Sequence, residues 1–183
     1  MDVEVRDTER VNEAQRAAPG AGIQLMAFAE ALLLSVWLGS MIFFSFAVAP
    51  SAFAVLPSRH LAGQIVTATI AKVEIIGLVA GALLLAIQLL SRTLYGASRR
   101  MRAARMGLLV LMILSTAGMR FWISPTMVAL RAAMGRPIDE TDPADPLRIQ
   151  FNDLHQYSVT LMAIAMLAGV ALLLLSVRSW LKR

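Results

Sequence analysis

Four ionisable residues stand in stretches that are otherwise hydrocarbon: Glu30, Lys72, Glu74 and Arg120. An ionised side chain at that depth is costly, so residues of this type pair with one another, line a wet path, or do both. Two acids and two bases balance in charge, which lets every ion have a partner. Two readings follow for this polar core. In one, buried carboxylates beside cations relay a proton or ion, or form the polar floor of a solute site. In the other, Glu74 and Arg120 are a structural pair that fixes helix register, while Glu30 and Lys72 snorkel or bond to neighbours. A second set, Phe151, Asn152, His155 and Ser158 in "FNDLHQYS", marks an outer mouth where the chain re-enters apolar sequence. Histidine there can accept a hydrogen bond or ligate a metal. His60 is the only other histidine. A metal or haem site built from His60 and His155 requires the turn bearing the first to fold over the helix bearing the second.

The elements that must position these groups follow from composition. The chain has 183 residues, 58% of them hydrophobic, and a mean hydropathy of +0.68, too apolar for a soluble domain. With no cysteine, disulfides, thiolate metal sites and thiol nucleophiles are excluded. Phosphate-binding glycine loops, nucleophile elbows, HExxH and CxxC patterns are absent from the sequence, so nothing points to soluble enzymology. The net charge of +5 comes largely from one loop and the C-terminus, not from a basic face with interleaved aromatics. Nucleic acid is therefore not the expected partner, and anionic lipid head groups are the counter-charge expected at residues 92–105.

Four apolar runs of spanning length predict an all-α polytopic membrane protein, a four-helix bundle with spans near 23–48, 61–90, 106–130 and 155–177. Pro50 and Pro57 bracket an expected outer turn. Pro125 should kink the third helix beside Arg120, Gly135 should end it, and Asp145 with Pro146 should start the fourth. Helical spacing places Glu74, Gly77 and Gly81 on one face, and "GLVAG" is a small-xxx-small pattern that lets helices approach closely. Thr116, Arg120 and Ser124 share a stripe. The expected interior faces elsewhere are Glu30, Trp37, Met41 and Phe44 on the first helix, and Phe151, His155, Ser158, Met162 and Gly169 on the fourth. The methionines serve as flexible apolar filler.

Basic residues in short loops are retained on the cytoplasmic side. "SRTLYGASRRMRAAR" is basic and "IDETDPAD" acidic, so both termini should be cytoplasmic and the bilayer a bacterial inner membrane. Residues 1–21 read as a polar, mobile tail without the apolar core of a secretory signal, and 22–183 as the membrane domain. "AVAPSAFA" resembles a cleavage site, but the long apolar run before it predicts that the first helix is retained.

"VWLGSMIFFSFAVAPSAFAVLP", "RFWISPTMVALR" and "FNDLHQYSVTLM" together resemble the transmembrane protein 205 family and its bacterial relatives, a four-helix domain of unknown function, over about residues 25–175. The most specific pieces are Phe151, His155 and Ser158, then Pro50 with Phe53, then Pro125. The resemblance implies a small integral membrane protein. The eukaryotic member of that family has been linked to export of platinum drugs. The layout is also similar to copper-resistance D proteins and to a haem-binding protoporphyrinogen oxidase, from which this chain departs by its shortage of histidine within the spans. The expected function is a non-enzymatic protein whose polar core handles an ion or small solute or supports a membrane complex, without a cofactor. The alternatives are a haem- or copper-dependent redox protein and a structural subunit of a larger assembly, with a homo-oligomer or a membrane protein as partner.

Overall fold

Hydrocarbon offers backbone amides no water, so a chain this apolar satisfies them within helices. The computed structural model describes residues 20–90 and 98–181. Within them four helices are long and apolar enough to cross a membrane: Ala21–Val55, Arg59–Leu90, Arg99–Met134 and Pro146–Ser179, termed here the first to fourth spans. No strand occurs among the described residues. The chain is a multi-pass, all-α membrane protein. Expectations for the polar tail before residue 20, for 91–97 of the basic loop, and for Lys182 and Arg183 lie outside the described residues. Leu25, Phe46, Phe121 and Leu167 project outward from the spans, where lipid rather than water is their natural neighbour.

Two helix ends differ from expectation. Pro50 does not open a turn: the first span continues through it to Val55. A single π-helical turn precedes each internal proline, Phe44–Val48 before Pro50 and Met119–Ile123 before Pro125. The wider turn absorbs the missing N–H and the ring clash that would otherwise end a helix. The third span begins at Arg99, well before the expected position 106. Ser98 caps it, its hydroxyl accepting from the Met101 N–H at 3.3 Å, and the arginines that follow are good helix formers that hydropathy alone reads as loop. At the other end Gly135, with φ +64°, terminates the third span. The Asp145 carboxylate accepts from the Leu147 N–H at 2.8 Å, just inside the start of the fourth.

The four spans form a bundle with a hidden two-fold character. The first and third spans each pack on the second and fourth, leaving first and third on one diagonal. Buried residues of the first span recur in the third at a constant shift of 75 positions: Glu30 with Arg105, Leu34 with Leu109, Trp37 with Met112, Met41 with Thr116, Phe44 with Met119. Both π turns and both internal prolines keep that shift. The glycines repeat the theme. Trp37 lies against Gly77 and Gly81 of the second span, and Met112 lies against Gly169 of the fourth. We refer to the end bearing Arg99 and Arg105 as the basic end, and to that bearing Asp139, Glu140, Asp142 and Asp145 as the acidic end.

Candidate functional site

The four expected polar-core residues do not form one group. Glu30 and Glu74 lie on neighbouring antiparallel spans, to opposite sides of the level where Trp37 meets Gly77 and Gly81. At 1.5 Å per residue the two carboxylates are about 15 Å apart along the bundle. Leu34, Leu84, Leu109, Met112 and Leu172 fill the interval, all of them fully buried. The structure thus contains two polar centres.

The centre nearer the basic end is closed. Glu30 Oε1 accepts from Arg105 Nη2 and, at 2.8 Å, from the Ser176 hydroxyl, while its Oε2 is buried without a hydrogen-bond partner among the described residues. Glu30 and Ser176 are completely buried and Arg105 almost so. Arg105 was expected to anchor to lipid from a basic loop. It instead shares a helical face with Leu109, Met112 and Thr116, so extending the helix by two turns brings its guanidinium inside. The shift of 75 positions is the signal that finds it, because that shift carries Glu30 onto Arg105 across the bundle diagonal. Ser176 carried no comparable mark among the leucines of the fourth span.

The centre nearer the acidic end is open. Glu74 Oε1 accepts from the Ser124 hydroxyl at 2.8 Å. Glu74 Oε2 lies 4.0 Å from Arg120 Nε, at the outer limit of an ion pair, and has no hydrogen-bond partner among the described residues. The side chains differ in access: that of Glu74 is 1% exposed and that of Arg120 38%. The π turn at Met119–Ile123 and the residue after it carry Arg120 and Ser124 to the second span together. Beside Glu74 is a small cavity also lined by Trp37, Met41, Thr116, Met119 and Met162. Measured to the centre of a water-sized sphere its volume is about 10 Å³, on the scale of one water molecule. The Trp37 indole N–H is buried and has no partner among the described residues.

"GLVAG" also works differently from expectation. A Cβ on Gly77 would collide with the Trp37 indole nitrogen, and one on Gly81 would come within 3.1 Å of the ring. The two glycines make a slot for an aromatic side chain, and this slot sets Trp37 beside Glu74.

The remaining expected residues are dispersed. Lys72 is exposed and not part of the buried core; two positions from Glu74 on a helix, it faces nearly the opposite way. Phe151 is buried, whereas Asn152 and His155 are exposed, so His155 does not face the interior. It stands at the edge of the wide face that Phe151 and Met162 bury. The Ser158 hydroxyl donates to the His155 carbonyl at 2.7 Å. His60 Nε2 lies 3.0 Å from the Gln64 amide nitrogen. Among the described residues no group of three or more His, Cys, Asp or Glu is placed to hold a metal.

Residues 32–136 match the family model for a domain of unknown function, DUF4149. The matched stretch contains Trp37, Glu74, Arg105, Arg120 and Ser124, while Glu30 and Ser176 fall outside it. Neither a curated protein nor a solved structure matches the chain. Because the match covers more than half of the sequence, this four-span membrane protein belongs to the DUF4149 family.

Proposed function

We propose that the chain is a small non-enzymatic membrane protein of the transmembrane protein 205-like type, whose Glu74 centre handles a proton or a water-sized ion at membrane depth. One observation carries this reading: Glu74 and Trp37, each with a buried polar atom that lacks a hydrogen-bond partner among the described residues, line the same water-sized cavity. A water there accepts from Trp37 and donates to Glu74 Oε2, which completes both groups and joins the carboxylate to a proton carrier. Arg120 is the counter-ion able to move. Held only at 4.0 Å and partly exposed, it can turn outward when Glu74 takes a proton and return when Glu74 releases it, so that no unpaired charge stays buried. The resemblance to a family whose eukaryotic member has been linked to export of platinum drugs agrees with such a role. The setting is a bacterial inner membrane with both termini cytoplasmic and the basic loop on anionic lipid. Lys72, exposed within a span, supports a membrane-protein partner or a homo-oligomer.

Vesicles reconstituted with the protein and loaded with a pH-sensitive dye test the reading. Imposed acid should enter faster than in protein-free vesicles, and Glu74→Gln should remove the excess while the variant remains folded. Equal rates in wild type and Glu74→Gln would sink it. A second reading rests on Met41, Met119 and Met162, whose side chains border the same cavity. Thioether sulfur prefers soft monovalent ions such as Cu(I). Binding of one silver(I) ion per chain, lost in Met119→Leu, would favour that reading over the proton.

A further inference from the structure

Two arginines, the buried Arg105 and the partly exposed Arg120, each meet a carboxylate of this chain, but a third does not. Arg131 is half-buried near the end of the third span. Its Nη1 donates to the Thr67 hydroxyl at 3.2 Å, and its guanidinium carbon stands 5.3 Å from the centre of the Phe151 ring. Thr67 is itself fixed, donating to the Gly63 carbonyl at 2.7 Å. Gly63 leaves the room the guanidinium occupies, since a Cβ there would come 3.3 Å from Arg131 Nη2. Three helices therefore hold the side chain in one place, with groups that carry no charge. No carboxylate lies within 4.0 Å of it among the described residues. A guanidinium has five N–H donors, and only one of them is used here.

Depth adds the second constraint. The third span has 36 residues, about 54 Å of helix, against a hydrocarbon core of about 30 Å. With the helix centred in the bilayer, Arg131 lies about 22 Å from the midplane, at the level of the lipid head groups. A planar donor fork, oriented in advance and lacking a counter-ion, matches the oxygens of a phosphate.

We infer that Arg131, set by Thr67, Gly63 and Phe151, is a phosphate-binding site at the acidic end of the bundle, with the phosphodiester of an anionic phospholipid or free phosphate as its ligand. The ring of Phe151 covers one face of the guanidinium, so the ligand approaches along the free N–H edge.

The test uses the full-length protein, stripped of lipid in detergent and titrated with phosphatidylglycerol, with bound lipid counted by native mass spectrometry. Wild type should retain one phosphatidylglycerol. Arg131→Gln should weaken retention by about tenfold or more, the loss of one charge-assisted hydrogen bond or two. Arg131→Lys should recover part of it, as a point charge without the fork. Thr67→Val keeps the cation but frees it, and should give an intermediate loss even if Arg131→Gln folds poorly. If millimolar inorganic phosphate displaces the lipid, the free anion is a ligand of the same site; if it does not, the site is selective for the lipid phosphodiester. Retention unchanged in both Arg131→Gln and Thr67→Val would overturn the assignment.

Discussion

The bundle holds two carboxylates, each with an arginine and a serine, and they are built to opposite effect. Around Glu30 all three side chains are buried, and the third span reaches across the diagonal to close the centre. Around Glu74 the arginine stands off at 4.0 Å and is partly exposed, and a water-sized cavity adjoins the carboxylate; an oxygen without a hydrogen-bond partner among the described residues is common to both glutamates. The same residue types therefore serve as a clamp in one place and as a site in the other. What separates them is closure. The π turn at Met119–Ile123 presents Arg120 at the bundle surface, whereas regular helix at Arg105 directs that side chain inward.

The largest effect is expected at the clamp. Glu30→Gln or Arg105→Met alone should destabilise the detergent-purified protein by about 3 to 5 kcal/mol, because either leaves a buried charge without its partner. The double variant should recover most of the loss. Thermal unfolding checks this, and single variants as stable as wild type would remove the distinction between the centres.

A smaller loss, about 1 to 3 kcal/mol for overpacking, is expected from Gly77→Ala, whose new methyl group meets the Trp37 indole. Adding Trp37→Phe should restore part of it by removing the nitrogen-bearing edge. Gly169→Ala should cost less, since the nearest atom, at 3.0 Å, is the flexible end of Met112. Equal losses at Gly77 and Gly169 would mean that the tryptophan slot is no more rigid than its methionine counterpart.

At the open centre Glu74→Gln should cost about 1 kcal/mol or less in unfolding experiments. Arg120 is partly solvated, and Ser124 keeps an acceptor. A loss as large as that of Glu30→Gln would reclassify Glu74 as a second clamp. The smallest effect belongs to His155→Ala, an exposed position, within about 0.5 kcal/mol of wild type. A larger change in melting temperature would restore the histidine to the interior.

These differences also mark how far the sequence could be read. Span number and the stripe of Thr116, Arg120 and Ser124 were legible because hydropathy and the helical period act over long runs. Arg105 was hidden among Arg99, Arg100 and Arg102, where composition signals a loop. Only extending the Leu109–Met112–Thr116 face backward, or applying the 75-position shift from Glu30, separates it. Lys72 could have been set aside from spacing alone, since two residues apart on a helix cannot both face inward. His155 could not, because it sits at the margin of its face, and only the packing of neighbouring spans decides which margin is covered. The π turns left no signal beyond the prolines that follow them.

Under the proposed function, Glu74 can be reached from outside the bundle and Glu30 cannot. Carbodiimide modification of the membrane-embedded protein, followed by mass spectrometry of the peptides, compares the two carboxylates in one sample. A dicyclohexylcarbodiimide adduct, the apolar reagent entering from the lipid side past the partly exposed Arg120, is expected at Glu74, with Glu30 unmodified. Modification of Glu30 at a rate equal to or above that of Glu74 would contradict it.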